Sequence, residues 1–86
     1  MSPNAVDPRR SAPYRIYFWS NENLDTHKPP HVHVQSSIGY AEFWLAPVRV
    51  KDRGSYTELD LARARRMVER FERECLEAWE RVHGDR

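Results

Sequence analysis

Apolar and polar side chains alternate in three separate stretches of this chain, and then the spacing changes. Tyr14, Ile16 and Phe18 alternate with Arg15, Tyr17 and Trp19; Val32 and Val34 alternate with His31, His33 and Gln35; Ala41, Phe43 and Leu45 alternate with Tyr40, Glu42 and Trp44. A period of two belongs to a β-strand, whose successive side chains point to opposite faces, and the aromatic and β-branched composition agrees. Ser36-Ser37-Ile38-Gly39 reads as a turn between the second and third stretches, with Gly39 expected at positive φ. Pro47 interrupts the pattern, and Val48-Arg49-Val50 fits a short fourth strand that ends at the turn Asp52-Arg53-Gly54-Ser55. The polar segment from Asn21 to Pro30 reads as a loop. Its two terminal prolines deliver the chain to His31 already extended, because proline disfavours helical geometry in the residue before it.

From Thr57 onward the spacing becomes helical. Leu61, Ala64, Val68, Phe71, Cys75, Ala78 or Trp79, and Val82 recur at three- and four-residue steps, with no proline and with Gly84 as the one glycine. Thr57 or Asp60 can cap the start, Glu58 and Asp60 suit the first turn, and Gly84 suits the end. Opposite charges four residues apart line the outer side: Arg65 with Glu69, Glu69 with Arg73, Arg70 with Glu74, Arg73 with Glu77, Glu77 with Arg81. Acids interleave with arginines throughout, so this run reads as a solvated helix face and not as a nucleic-acid stripe. The expected fold class is α+β, a three- to four-stranded, mainly antiparallel sheet with one long C-terminal helix packed on one face. The sheet is expected over 14–52 and the helix over about 58–83, in a single domain spanning 14–86. Residues 1–13 hold three prolines and no periodicity, and read as a flexible N-terminal tail.

One helix covers one side of a sheet, so alternation sorts the strands. The aliphatic sets belong against the helix. Left on the opposite side are Arg15, Tyr17, Trp19, His31, His33, Tyr40, Glu42 and Trp44, an expected open face rich in histidine and aromatic rings. His31 and His33, two apart on a strand, must project to the same side. The plainest reading of such a pair is strand histidines that hydrogen-bond their neighbours, and of the four aromatics a second small core under the tail or a partner copy. Three functional readings compete with it. Tyr17, Trp19, Tyr40 and Trp44 can form a protein-binding surface, since aromatics are enriched at interface hot spots. Alternatively the face binds or cleaves RNA: the rings stack bases, His31 and His33 act as general acid and base, Glu42 orients one of them, and Arg15 stabilises phosphate charge. A metal-independent ribonuclease of this kind needs no cofactor. The third reading is a divalent metal such as Zn held by His31 and His33 with His27 as third ligand, or with Glu42 in that place.

Composition narrows the setting. Among 86 residues there are 14 basic and 13 acidic side chains, a net charge of +1 that argues against a strongly cationic nucleic-acid binder. Cys75 is the one cysteine; it excludes an intramolecular disulfide and a cysteine-based zinc finger, and its spacing puts it in the core. Nothing approaches the roughly 18 apolar residues of a membrane span, and the N-terminal residues lack the apolar core of a signal peptide, so a cytoplasmic location is expected. With three glycines, the chain has no phosphate-cradling loop. His83 lies beside Gly84 at the helix end, where a cation is favourable, and carries no functional assignment.

The order Tyr14-Arg15-Ile16-Tyr17-Phe18, His27-Lys28-Pro29-Pro30-His31-Val32-His33-Val34, Tyr40-Ala41-Glu42 and a helix ending Leu76-Glu77-Ala78-Trp79 resembles the small bacterial proteins grouped as domain-of-unknown-function family 4160. The likeness spans roughly residues 14–83, and its most specific part is the Pro-Pro-His-x-His core. Matching positions are Tyr17, His27, Pro29, Pro30, His31, His33 and Trp79, the last taken as structural. The segment Gly54-Ser55-Tyr56-Thr57-Glu58-Leu59 departs from the family's Gly-x-Leu-Pro approach to the helix. What the resemblance implies is a genomic setting, a toxin-like component of a two-gene toxin–antitoxin-type system whose partner is a small antitoxin-like protein; a homodimer is the other expected assembly.

Overall fold

A computed structural model describes residues 3–20 and 29–84. Five strands, β1 (Pro3–Ala5), β2 (Arg15–Trp19), β3 (His31–Ser36), β4 (Gly39–Trp44) and β5 (Arg49–Asp52), precede two helices, α1 (Glu58–Arg70) and α2 (Glu72–His83). The strands pair in chain order, each antiparallel to its neighbour. The α+β class and antiparallel sheet thus agree with the sequence, while the strand count and the single helix need correction.

The extra strand comes from the segment expected to be a tail. Pro3, Asn4 and Ala5 pair with Trp19, Phe18 and Tyr17 along the edge of β2, and Val6 N–H continues the ladder to Ile16 O at 2.8 Å. Val6 is buried. Beyond it, Ser11 N–H returns to Asp7 O (3.1 Å), Tyr14 N–H to Ser11 O (2.9 Å), and the buried Ser11 hydroxyl donates to Tyr14 O at 2.9 Å. Strand pairing supplies structure that the local sequence does not advertise.

The core lies where the alternation puts it. Ile16, Phe18, Val32, Val34, Ala41, Phe43 and Leu45 are buried with the helical stripe Ala64, Met67, Val68, Phe71, Cys75, Ala78 and Trp79. Thr57 caps α1, its side chain accepting from Asp60 N–H at 3.2 Å. The helix breaks at Phe71 (φ −103°, ψ 16°), whose N–H is shared between Met67 O and Val68 O. No proline or glycine causes this break; Phe71 is a fully buried ring, and the interruption lets each half present its own apolar stripe. Of the expected helix-surface pairs, Arg65–Glu69 closes to 3.5 Å. Gly39 is not at positive φ. It opens β4 because a side chain there would stand 2.6 Å from the Tyr56 ring, and the left-handed glycine is Gly54 (φ +57°). No described helix is long and apolar enough to cross a membrane.

Cys75 sits fully buried in this core, and burial, followed by the charges of Glu74 and Glu72, pushes its thiol up to about 12. The thiolate is the reactive form. Maleimide labelling of the native protein at neutral pH should therefore proceed only at the rate of unfolding, and rapid labelling would contradict this packing.

Candidate functional site

Strand register assembles the site. His33 of β3 stands directly opposite Tyr17 on β2 and Glu42 on β4, and directly opposed residues share a face. Its ring is stacked on Tyr17 at 5.2 Å (16°) and lies 6.1 Å from Tyr40. His31 pairs with Trp44 and meets it edge-on at 5.7 Å, with His33 at 5.8 Å. The two histidines do share one side of the sheet with Tyr17, Tyr40, Glu42 and Trp44. They do not, however, stand on an open surface: His31 is 1% exposed and His33 9%.

Two features account for the difference. The aromatic side chains expected to be a free binding face are themselves half-buried, Tyr17, Tyr40 and Trp44 against the imidazoles and Trp19 against Tyr17. Moreover, α2 reaches the end of the sheet where β2 finishes and β3 begins. Trp79 lies 5.2 Å from Phe18 on the core side and 5.1 Å from His31 on the other, and His83 Nε2–H donates to Ser20 O at 2.9 Å. His83 itself is buried, its ring 4.0 Å from that of Trp79 and tilted by 46°, and its Nδ1 has no hydrogen-bond partner among the described residues.

Hydrogen bonding fixes both site tautomers. His31 Nδ1 lies 3.0 Å from Pro29 O, and a carbonyl can only accept, so this nitrogen carries the proton. Tyr40 donates its hydroxyl proton to Glu42 Oε2, so the Tyr40 oxygen, 3.1 Å from His33 Nδ1, accepts from it. In the neutral rings both lone pairs then reside on Nε2. Glu42 Oε1 accepts from Lys51 Nζ at 3.0 Å, and that ammonium also stands 5.2 Å from the Trp44 ring. Lys51 is the extra residue of a β-bulge, since Glu42 pairs with Asp52 and Phe43 with Val50.

One ligand atom from each of His31, His33 and Glu42 can be chosen so that all lie within 4.8 Å of one another. Burial alone would raise the Glu42 carboxyl, but the hydrogen bonds from Tyr40 and Lys51, with the Lys51 ammonium and the His33 ring beside it, outweigh that cost, and the group is held below its ordinary value. Desolvation and the neighbouring Glu42 charge push the Tyr40 phenol upward, keeping it a neutral donor.

Arg15 does lie on this side, but its guanidinium covers the Tyr17 ring at 5.4 Å. Trp19 meets Tyr17 edge-on at 5.9 Å, and His27 lies outside the described residues. Lys51 and Trp79 were missed as site neighbours. For Lys51 the signal was available, because running the fourth strand one residue past Val50 sets a cation beside Glu42. Trp79 carries no such signal, since helical spacing assigns it only to the core.

A lowered folded-state value means that Glu42 contributes stability above the unfolded carboxyl range, about pH 4.3, and loses it as pH falls through the depressed folded value. Glu42→Gln is expected to cost about 1–3 kcal/mol at pH 7 and to flatten the acid limb of the stability curve. Urea titrations from neutral pH to pH 3 check this; parallel curves for parent and variant would contradict it.

No curated protein and no solved structure matches the chain. The family model described as Domain of unknown function (DUF4160) matches residues 14–80, which include β2 to β5, both site histidines, Glu42, Lys51 and Trp79. The chain therefore belongs to the DUF4160 family.

Proposed function

We propose that the protein is a histidine-ligated divalent-metal protein, with His31, His33 and Glu42 supplying the ligands to a zinc-type ion. The observation that carries this is the second layer of hydrogen bonds. Each imidazole has its Nδ1–H directed at an oxygen, Pro29 O for His31 and Tyr40 Oη for His33, and Tyr40 is in turn oriented by Glu42. Metal-binding histidines are held in this way, with one nitrogen tied to a fixed acceptor and the other turned to the ion. Two imidazoles and a carboxylate are ligands for Zn2+, and three protein ligands leave a position for water or substrate. The ion would act there as a Lewis acid.

Lys51 opposes the ion, because its ammonium occupies Glu42 Oε1 at 3.0 Å and must yield some of that contact on metal binding. The other readings draw less from the geometry. A metal-independent ribonuclease needs substrate access to His31, which is 1% exposed, and an Arg15 close to the histidines and not over Tyr17. A toxin-like interaction module acting through Tyr17, Trp19, Tyr40 and Trp44 would use rings of which three already pack on the histidines and the fourth, Trp19, packs on Tyr17. That role, with a small antitoxin-like partner, rests on the family resemblance alone.

Zinc titration of chelator-treated protein by calorimetry tests the proposal, with histidine 1H–15N spectra recorded in parallel. The His31 and His33 ring signals should move and that of His83 should not. Saturation at 100-fold above Kd should raise stability by about 2.7 kcal/mol. Tyr40→Phe, which keeps the ring and removes the orienting hydroxyl, should weaken binding about 10- to 100-fold. Lys51→Met should tighten it. Unchanged spectra of the parent protein under excess zinc would overturn the assignment, whether or not any histidine variant folds.

A further inference from the structure

A second region of the molecule shares no residue with the histidine site. Between the turns that follow β1 and the outer side of α1 lies a cleft of about 300 Å³ whose lining includes Arg10, Tyr14, Arg63, Arg66, Met67 and Arg70. Four of these are arginines and none is acidic. A chain with a net charge of only +1 thus gathers four permanent cations around one concavity. The helical contribution comes from residues 63, 66 and 70, three and four apart and therefore on one side of α1. Glu69, the acid between Arg66 and Arg70 in sequence, pairs with Arg65, outside the cleft.

The walls are built rather than loose. Ser11 is buried and hydrogen-bonded to Tyr14 O, which fixes the turn that carries Arg10. The Arg10 guanidinium is held from three directions, by Asp7 at 2.9 Å, by Glu74 at 3.4 Å and by the Phe71 ring at 5.0 Å. Arg63 has Asp60 at 3.9 Å. Among the described residues, Arg66 and Arg70 have no carboxylate within salt-bridge distance. Two guanidiniums are therefore oriented by acids and two lack that neutralisation, and all four border one cavity. Like charges held together destabilise the empty cleft, and an anion entering it removes that repulsion. Arginine forks favour phosphate oxygens through paired N–H···O bonds. The dimensions suit a nucleotide-sized molecule, with Tyr14 and Met67 offering apolar contact beside the charged rim.

We propose that this cleft binds a phosphate-bearing ligand of nucleotide size through Arg66 and Arg70, with Arg10 and Arg63 as prepositioned support. The shared chemistry is a run of phosphate groups, carried either by a nucleotide or by inorganic polyphosphate.

Calorimetric titrations with ATP, tripolyphosphate and adenosine, in chelator and at low salt, test it. ATP should bind, adenosine should not, and salt should weaken the interaction through screening. Equal affinity for tripolyphosphate would assign the ligand to the inorganic class, and preference for ATP to the nucleotide class. Arg66→Ala and Arg70→Ala should each lose about tenfold in affinity, with Arg66→Lys intermediate because the fork is lost while the charge remains. Both side chains are exposed, so the variants should keep the parent far-ultraviolet spectrum and the parent response to zinc. No binding of ATP or tripolyphosphate at millimolar concentration, or affinity unchanged in both alanine variants, would overturn the proposal. So would a single-stranded RNA oligonucleotide that binds through the same arginines more than tenfold tighter than ATP, since the cleft would then be part of an extended nucleic-acid track.

Discussion

The register of β3 between its two neighbours is the constraint on which the candidate site depends. Side chains on a strand alternate strictly, so sliding β3 by one residue would turn Val32 and Val34 away from the helices and drive His31 and His33 into the apolar layer. The observed register satisfies both demands at once. The valines are fully buried with the helical stripe, while His33 lies between Tyr17 and Glu42 and His31 lies opposite Trp44. The two prolines take part through their carbonyls: Pro30 O accepts from Leu45 N–H at 3.0 Å and extends the β3–β4 ladder, and Pro29 O receives the His31 ring. Lacking N–H groups themselves, they place two acceptors at the strand entrance without adding a donor that would need a partner.

Burying an imidazole costs free energy unless its polar atoms are hydrogen-bonded. Here that requirement links β3 to β4 and β5, through Tyr40 and Glu42 to Lys51. The bulge at Lys51 supplies the last member, because the additional residue in β5 is the one whose ammonium reaches the carboxylate. Aromatic rings close the remaining space, so a chain of only 86 residues contains a small polar network next to an ordinary hydrophobic core. Such a network is orienting as much as stabilising, since the two Nδ1–H groups and the Tyr40 hydroxyl are each directed at an oxygen.

The arginine cleft is of a different kind. It lies at the surface, gathers four arginines, and uses the N-terminal turns as a wall. Overall charge gives no hint of it: the acids that reach the cleft pair with Arg10 and Arg63 and leave Arg66 and Arg70 without a carboxylate partner among the described residues. Local charge follows from which helix positions share a side and from what packs beside them, and neither enters a sum over the sequence.

Much of the fold could be read from spacing alone, because a period of two or of three to four residues follows from backbone geometry and holds wherever the chain lies. That is why β2, β3 and β4, the apolar stripe, the Thr57 cap and the common side of His31, His33, Tyr40 and Glu42 were legible. What spacing could not supply was contact between elements distant in the chain. Pro3-Asn4-Ala5 has no strand signature and becomes a strand only because β2 offers an edge, which also converts an expected tail into the wall of a cleft. Phe71 ends α1 although it is neither proline nor glycine, and its ring is buried in the core. Trp79 reads as core by spacing, yet it also touches His31 from beyond the end of the sheet. The sequence by itself thus determined which side chains face the same way, a property of local backbone repeat; the tertiary structure decided which of them are covered and what surrounds them, because burial depends on elements that meet only after the chain has folded.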